Sequence, residues 1–308
     1  MKQKLLILFL FCFFSVNVFA QRDFSDSDTT KLVILGSGTP NPSPLQSGCA
    51  LAIIVYDTPY IIDFGPGLIR KAAAMSPTYD GKITGLEVKN IKRAFLTHLH
   101  SDHTTGYPDL ILTPWVVGRD EPLEVFGPEG IIKMTKNILA AYEDDIKYRV
   151  YGSEPANNQG WRVNSHEFTT EGVIYQDENV KVEAFPVVHG TWPNAWGFRF
   201  TTPDKIIVIS GDTAPSEKII EYAQKADILV HEVYSKAGFD KRSESWKNYH
   251  SKHHTSTYEL GEIASKTNPK LVVLYHVLFW GASEQDLTDE ISEKYKGKVI
   301  VGRDFDVF

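Results

Sequence analysis

Short apolar runs alternate with helix-period segments along most of this chain. The runs at 31–35, 50–56, 60–63 and 91–96 are rich in Ile, Val and Leu and are parted by turn residues such as Thr58-Pro59, which predicts strands. A short helix is expected at 68–75, behind the Gly65-Pro66-Gly67 turn. Pro128 can open a further helix reaching about Tyr142, with Ile131, Ile132, Met134, Ile138 and Leu139 on one buried face. The second half repeats this logic: strands at 180–185, 196–201, 206–210, 228–230, 271–275 and 299–301, and helices at 217–225, 257–267 and 284–295. Residues 144–160 are the least regular stretch and read as a surface excursion over the site. No repeat is visible. Two sheets sandwiched between helices fit this order, in one domain without linkers.

The first twenty residues are a separate object. Lys2 and Lys4 form a positive start, an apolar run follows at 5–14, and Val18 and Ala20 give the small-residue pattern of a cleavage site. The run is well short of the ~20 residues that span a bilayer. An exported protein starting at Gln21 is expected, periplasmic or secreted, without a membrane anchor; Cys12 has no preceding lipobox. Only Cys49 then remains, so no internal disulfide can form, and its apolar setting reads as a small buried hydrophobe. The formal charge is −7, and loss of the two lysines takes it to −9. Nucleic acid usually demands a basic face, so it is not an expected partner.

Candidate chemistry is concentrated in Thr97-His98-Leu99-His100-Ser101-Asp102-His103, directly after the 91–96 strand. Imidazole nitrogen and carboxylate oxygen suit a borderline divalent ion such as zinc. His98 and His100, two apart, can point to one side, while Asp102 and His103 lie past the turn and can serve a second ion. Further ligands must come from other strand ends. His189, Asp212 and His276 each stand where an expected strand stops, as does Asp63, which can cap its turn or orient a metal-bound imidazole.

The H-x-H-x-D-H pattern resembles the metallo-β-lactamase superfamily. The segment 35–42 (LGSGTPNP) resembles the glycine-rich turn of its ribonuclease Z-like branch, 227–232 (DILVHE) its D-x-L-x-H-E segment, and 254–257 (HTST) its H-S/T-S/T segment, all in family order. The resemblance implies a four-layered αββα α/β fold. It implies two divalent metals, zinc first and manganese as the alternative: His98, His100 and His189 on one, Asp102, His103 and His276 on the other, Asp212 bridging. It further implies that His254, oriented by Glu232, donates a proton to the leaving group, and that Asp102 also steers the nucleophile. His231 is expected to support the site rather than ligate, and His166, His250 and His253 to be surface or structural.

Ribonuclease Z proper clamps transfer RNA with a long arm, in bacterial forms inserted between the equivalents of His189 and Asp212. Only 22 residues separate them here, reading as two strands and a turn. Trp192, Trp196, Phe279 and Trp280 lie close to His189 or His276 and suggest an aromatic-lined small-molecule pocket. The expectation is therefore an exported hydrolase of small phosphodiester or aryl sulfate esters, like the arylsulfatase and phosphodiesterase members of the branch. Transfer-RNA 3′ processing is one alternative, a lactonase or thioester hydrolase another, and a metal-binding protein without turnover the non-enzymatic one. A homodimer is left open.

Overall fold

The computed structural model describes residues 29–308, so the leader expected at 1–20 lies outside the described residues. Six strands form the first sheet in sequence order: β1 (Thr30–Gly36), β2 (Ala50–Val55), β3 (Thr58–Ile62), β4 (Arg93–Phe95), β5 (Leu123–Pro128) and β6 (Val163–Phe168). Seven form the second, again with sequence neighbours paired: β7 (Gly172–Gln176), β8 (Lys181–Pro186), β9 (Trp196–Thr201), β10 (Ile206–Ile209), β11 (Ile228–Tyr234), β12 (Leu271–Leu278) and β13 (Val299–Val301). The helices are α1 (Leu68–Met75), α2 (Ser101–Thr104), α3 (Tyr107–Val116), α4 (Ile131–Ala141), α5 (Glu143–Tyr151), α6 (Glu217–Tyr222), α7 (Lys236–Asp240), α8 (Glu244–His253), α9 (Thr257–Thr267) and α10 (Glu284–Ser292).

Three apolar layers show why the expected sandwich forms. Alternate residues of β2 split between them: Ala50, Ala52 and Ile54 face α1, α3 and α4, whereas Leu51, Ile53 and Val55 face the other sheet. The second sheet divides likewise, Ile207 and Ile209 facing inward and Val208 packing with Leu260 and Ile263 of α9. A strand buried on both faces reads as continuous Ile and Val, because the period-2 alternation of a half-exposed strand is lost. The arrangement is αββα, with each sheet covered by helices on its outer face.

Two expectations are corrected. Pro128 does not open a helix; it ends β5, and Gly130, at φ 108°, turns the chain into α4. Of the five apolar residues placed on the buried face of α4, Ile131 is buried, Met134, Ile138 and Leu139 are partly buried, and Ile132 is 49% exposed. Residues 144–160 are not irregular throughout, since α5 takes up the first half with Glu143, Asp144 and Asp145 in its first turn, favourable at a helix N-terminus. The second half is tied to α3 and the residue stretch after it: Trp115 Nε1 donates to the Asn157 carbonyl, and Asn157 Nδ2 to the Arg119 carbonyl.

Arg119 is fully buried, and its guanidinium is spent on backbone carbonyls. Pro114 lies inside α3 and cannot donate to Leu110, four residues back. The Arg119 guanidinium fills that gap: Nη1 donates to the carbonyls of Leu110 and Ile91, both at 3.1 Å, and Nη2 to those of Ile111 at 2.6 Å and Gly160 at 2.8 Å. Arg119→Met keeps bulk but strands these carbonyls, and is expected to destabilise by roughly 3 kcal/mol or more. Urea unfolding measures it; a change below about 0.5 kcal/mol would show that water replaces the guanidinium.

Candidate metal centre

The seven expected ligands come from both sheets and meet where the loops leave them. His98 and His100 follow β4, and Asp102 and His103 ride on α2. Asp63 leaves β3 at φ 61° and aims its carboxylate across at this loop, accepting from Thr97 N at 2.8 Å, Thr97 Oγ1 at 3.0 Å and His103 Nδ1 at 2.8 Å. Asp63 thus holds the histidine loop in place, orienting His103 as expected rather than capping its own turn. His189 follows β8 and Asp212 follows β10. Gly211 precedes Asp212 at φ 61°, where a Cβ would lie 2.6 Å from the Trp196 carbonyl oxygen, so only glycine permits this approach.

His276 departs from expectation in an instructive way. It does not stand past a strand end, because β12 runs on to Leu278. Tyr275 pairs with Glu232 and Val277 with Val233, which leaves His276 as the extra residue of a bulge, at φ 47°. A bulge re-aims one side chain without ending the ladder. The neighbouring β11 also outruns its expected span, and so carries Glu232 inside the sheet.

Two groups of donor atoms face each other around Asp212. In the first, His98 Nε2 lies 3.0 Å from His100 Nδ1, which lies 3.2 Å from His189 Nε2, and Asp212 Oδ2 is 4.0 Å from His98 Nε2. In the second, His103 Nε2 is 3.6 Å from Asp102 Oδ2 and 3.5 Å from Asp212 Oδ1. His276 Nε2 is there 3.2 Å from Asp102 Oδ2 and 3.5 Å from Asp212 Oδ2. Donors about 2.1 Å from a tetrahedral ion stand roughly 3.4 Å apart, so both sets have the spacing of a coordination shell.

The tautomers agree. Thr97 Oγ1 donates to Asp63 and so accepts from His98 Nδ1 at 3.0 Å, while His189 Nδ1 donates to the His253 carbonyl at 2.8 Å. With His103 Nδ1 on Asp63, three imidazoles are left with Nε2 lone pairs pointing inward. His103 Nε2 and Asp212 Oδ1 are buried with no hydrogen-bond partner, a costly arrangement unless a cation satisfies both.

Electrostatics point the same way. Burial works against the charged form of His103, yet the Asp63 and Asp212 carboxylates outweigh it and raise its pKa well above the ordinary histidine value. Burial likewise opposes ionised Asp212, but His276 and His103 hold it well below the usual carboxylate range. Without a metal, protons supply the positive charge that these carboxylates demand. His189, by contrast, is pushed down to about 4 by burial and remains a neutral donor. The residues present fit divalent ions.

Beside this centre stands a second constellation. His254 Nδ1 faces Glu232 Oε2 at 3.3 Å, and each atom is buried without another partner. Backbone N–H groups fix the carboxyl through its other oxygen, Thr255 N at 2.9 Å and Thr213 N at 3.3 Å. Burial, then Asp212, drives Glu232 well above the carboxylate range, and burial holds His254 down to about 4. Neutral carboxyl with neutral imidazole contains the same protons as carboxylate with imidazolium. The pair therefore keeps one transferable proton next to the donor groups.

The remaining expected residues scatter. His231 is fully buried behind the site, with Nδ1 donating to the Glu232 carbonyl. His166 is at the surface against Glu124, and His250 is buried on α8. Trp192 reaches the centre, its ring 4.1 Å from that of His100, whereas Trp196 packs on Phe168 and Phe279 joins the outer core. Trp280 touches His250 rather than a ligand. Cys49 is buried, its thiol pKa pushed up by burial, with its sulfur near His103 and His276. A cavity of about 210 Å³ opens beside Asp102, walled by Thr39, Pro40 and Asn41 from the glycine-rich turn and by Gln46 and Pro66. Asp304 anchors that turn, accepting from Ser37 N at 2.9 Å and Ser47 N at 2.8 Å.

Comparison with known proteins places this geometry in a family. Residues 58–277 match the β-lactamase superfamily domain. Ribonuclease Z of Mycobacterium sp. (strain KMS) is 30% identical over 251 residues, covering 80% of this chain and 84% of its own. Ribonuclease Z of Mycobacterium bovis (strain BCG / Pasteur 1173P2) is 25% identical over 279 residues, covering 89% and 96%. Among solved structures, the metallo-β-lactamase fold protein YhfI from Bacillus subtilis has a TM-score of 0.69 at 15% identity, covering 91% of this chain and 99% of its own. The short form of human tRNase Z has a TM-score of 0.65 at 22% identity, covering 90% and 98%. These two likenesses concern the fold. Family match, curated relatives and donor geometry agree: the chain belongs to the metallo-β-lactamase superfamily, in its ribonuclease Z-like branch, and is a metal-dependent hydrolase of ester bonds.

Proposed function

We propose that the protein hydrolyses phosphodiesters at a centre of two divalent ions, zinc first, using His254 as the proton donor. The observation that carries this is the His254–Glu232 pair beside two donor sets that share Asp212. His98, His100 and His189 would hold one ion, Asp102, His103 and His276 the other, with Asp212 between them. When bound, the ions lower the pKa of a water and hold negative charge on the phosphoryl oxygens. Asp102 accepts a hydrogen bond from the attacking water and orients it. His254 gives its proton to the departing oxygen, and Glu232 stabilises the imidazole in whichever form it then takes. A protein that only stored metal would have no use for this pair.

Two substrate readings follow. The curated relatives named ribonuclease Z support cleavage at a transfer-RNA 3′ end, and they support it better than the small-ester reading first drawn from the sequence. The small phosphodiester keeps one observation in its favour: β9 and β10 fill the chain between His189 and Asp212, leaving no arm at that place. The expected export leader favours it too.

The metal-reconstituted protein should be given a transfer-RNA precursor with a 3′ trailer, bis(p-nitrophenyl) phosphate, p-nitrophenyl sulfate and a lactone. Hydrolysis of the diester is expected, with trailer removal deciding between the readings. Turnover of sulfate or lactone alone would overturn the proposal.

A further inference from the structure

We infer that α8 supplies an aromatic subsite for the leaving half of the substrate, with Tyr249 as the stacking residue and Trp246 at its edge. This rests on the phosphodiesterase reading and names the leaving group's chemistry: a planar aromatic ring, whether a nucleobase or a simple aryl group.

The helix is placed for this. It ends at His253, so its last turn delivers His254 to Glu232. Tyr249 lies one turn before His253 and stacks on its ring, with centroids 4.0 Å apart and planes at 17°. The His253 ring is in turn 5.3 Å from that of His189, and His253 Nδ1 donates to the Tyr249 carbonyl at 2.7 Å. Tyr249 is therefore braced from the side of the metal ligands. Its ring centroid is 6.5 Å from that of His254, the proton donor, so it flanks the position of the departing oxygen.

Exposure makes the placement informative. Tyr249 is 40% exposed and Trp246 49%, whereas His250, on the same helix and against both rings, is buried. The two rings are perpendicular, at 89° with centroids 5.8 Å apart, and so form a corner open to solvent. Trp246 is itself braced by His250, at 5.4 Å and 21°, and lies near the Arg242 guanidinium. Two large rings held rigidly beside a proton donor cost little entropy to use, and a ring face accepts any planar π-system regardless of its hydrogen-bond pattern. A saturated leaving group would gain only area.

The test compares binding of phenyl phosphate, cyclohexyl phosphate and adenosine 5′-monophosphate to the metal-loaded protein, read by tryptophan fluorescence, with hydrolysis of methyl benzyl and methyl cyclohexylmethyl phosphate alongside. Wild type is expected to prefer the aromatic member of each pair by about 5- to 100-fold. Tyr249→Ala should erase that preference while Tyr249→Phe keeps it; in Tyr249→Ala the cyclohexyl compounds lose only the contact area of the ring, a smaller drop than that of the aromatic ones. Adenosine monophosphate binding more tightly than phenyl phosphate identifies a nucleobase; the reverse order identifies a simple aryl group. No aromatic preference in wild type, or a preference that survives Tyr249→Ala, overturns the subsite. If the preference stands while neither diester is hydrolysed, the subsite is retained and the phosphodiesterase reading is what fails.

Discussion

With the proposed pair of divalent ions, Asp212→Ala is expected to leave one ion or none bound and to lower hydrolysis by roughly 10³-fold or more. Asp212 has oxygens near donors of both groups, 3.5 Å from His103 Nε2 and from His276 Nε2 and 4.0 Å from His98 Nε2. Its loss removes a ligand from each shell and the negative charge that balances both. Several kcal/mol of transition-state stabilisation depend on the ions, and each factor of ten in rate corresponds to about 1.4 kcal/mol. His276→Ala deletes a ligand from one shell alone, so it should cost one ion and leave the other. Elemental analysis after reconstitution and dialysis gives the counts. The two-ion reading is wrong if wild type saturates at one equivalent and His276→Ala does not change that number.

Loading has a pH dependence whose sign follows from the same carboxylates. His103 and His276 are raised above the ordinary histidine value despite burial, His103 by Asp63 and Asp212 and His276 by Asp212 and Asp102. Both therefore hold a proton more tightly than an ordinary histidine in the metal-free protein, and must release it to bind an ion. Affinity should therefore rise with pH through the neutral range, and protons should appear in weakly buffered solution as metal is added.

The parts of this centre visible in the sequence are those that local chemistry writes compactly. His98, His100, Asp102 and His103 fall in one loop, and buried strands such as β2 and β10 are plain apolar runs because both faces are covered. Even Asp63 shows itself, as a lone acid ending an apolar strand. What local pattern cannot show is where a strand continues through polar residues. β11 carries Glu232 within a buried strand, because Thr213, Thr255 and Ser210 satisfy its polar groups, and β12 carries His276 within the sheet as the extra residue of a bulge. Those partners are 19 to 23 residues away, beyond any periodicity window. The helix misplaced at Pro128 has the same origin. Proline suits a helix start and equally the end of a strand, and only pairing with Phe168 in β6 decides which. Tyr249 and Trp246 carry no such signal, because only the fold of α8 brings residues that far ahead of His254 beside the ligands.

His254→Ala is expected to damage substrates with poor leaving groups far more than activated ones, and this separates a proton donor from a ligand. A nitrophenolate departs almost unaided, whereas an alkoxide or a ribose oxygen needs a proton, and general acid catalysis is typically worth ~10²–10⁴-fold. The variant should lose about that factor on an alkyl phosphodiester and much less on bis(p-nitrophenyl) phosphate. The metal content should stay at its wild-type value. Glu232→Gln should follow the same pattern more weakly, since the amide still accepts from Thr255 N and Thr213 N through one oxygen but no longer exchanges a proton with His254. The double variant should be less than additive, because the two side chains hold one proton between them. His254 also lies close to His189 and Asp212, near enough to enter a metal shell. Should His254→Ala lose an ion, it is a ligand and the leaving group takes its proton elsewhere. Equal losses on activated and unactivated esters with full metal content would instead make it a residue that positions substrate. Only a loss graded by leaving-group basicity, with both ions retained, assigns the proton to His254.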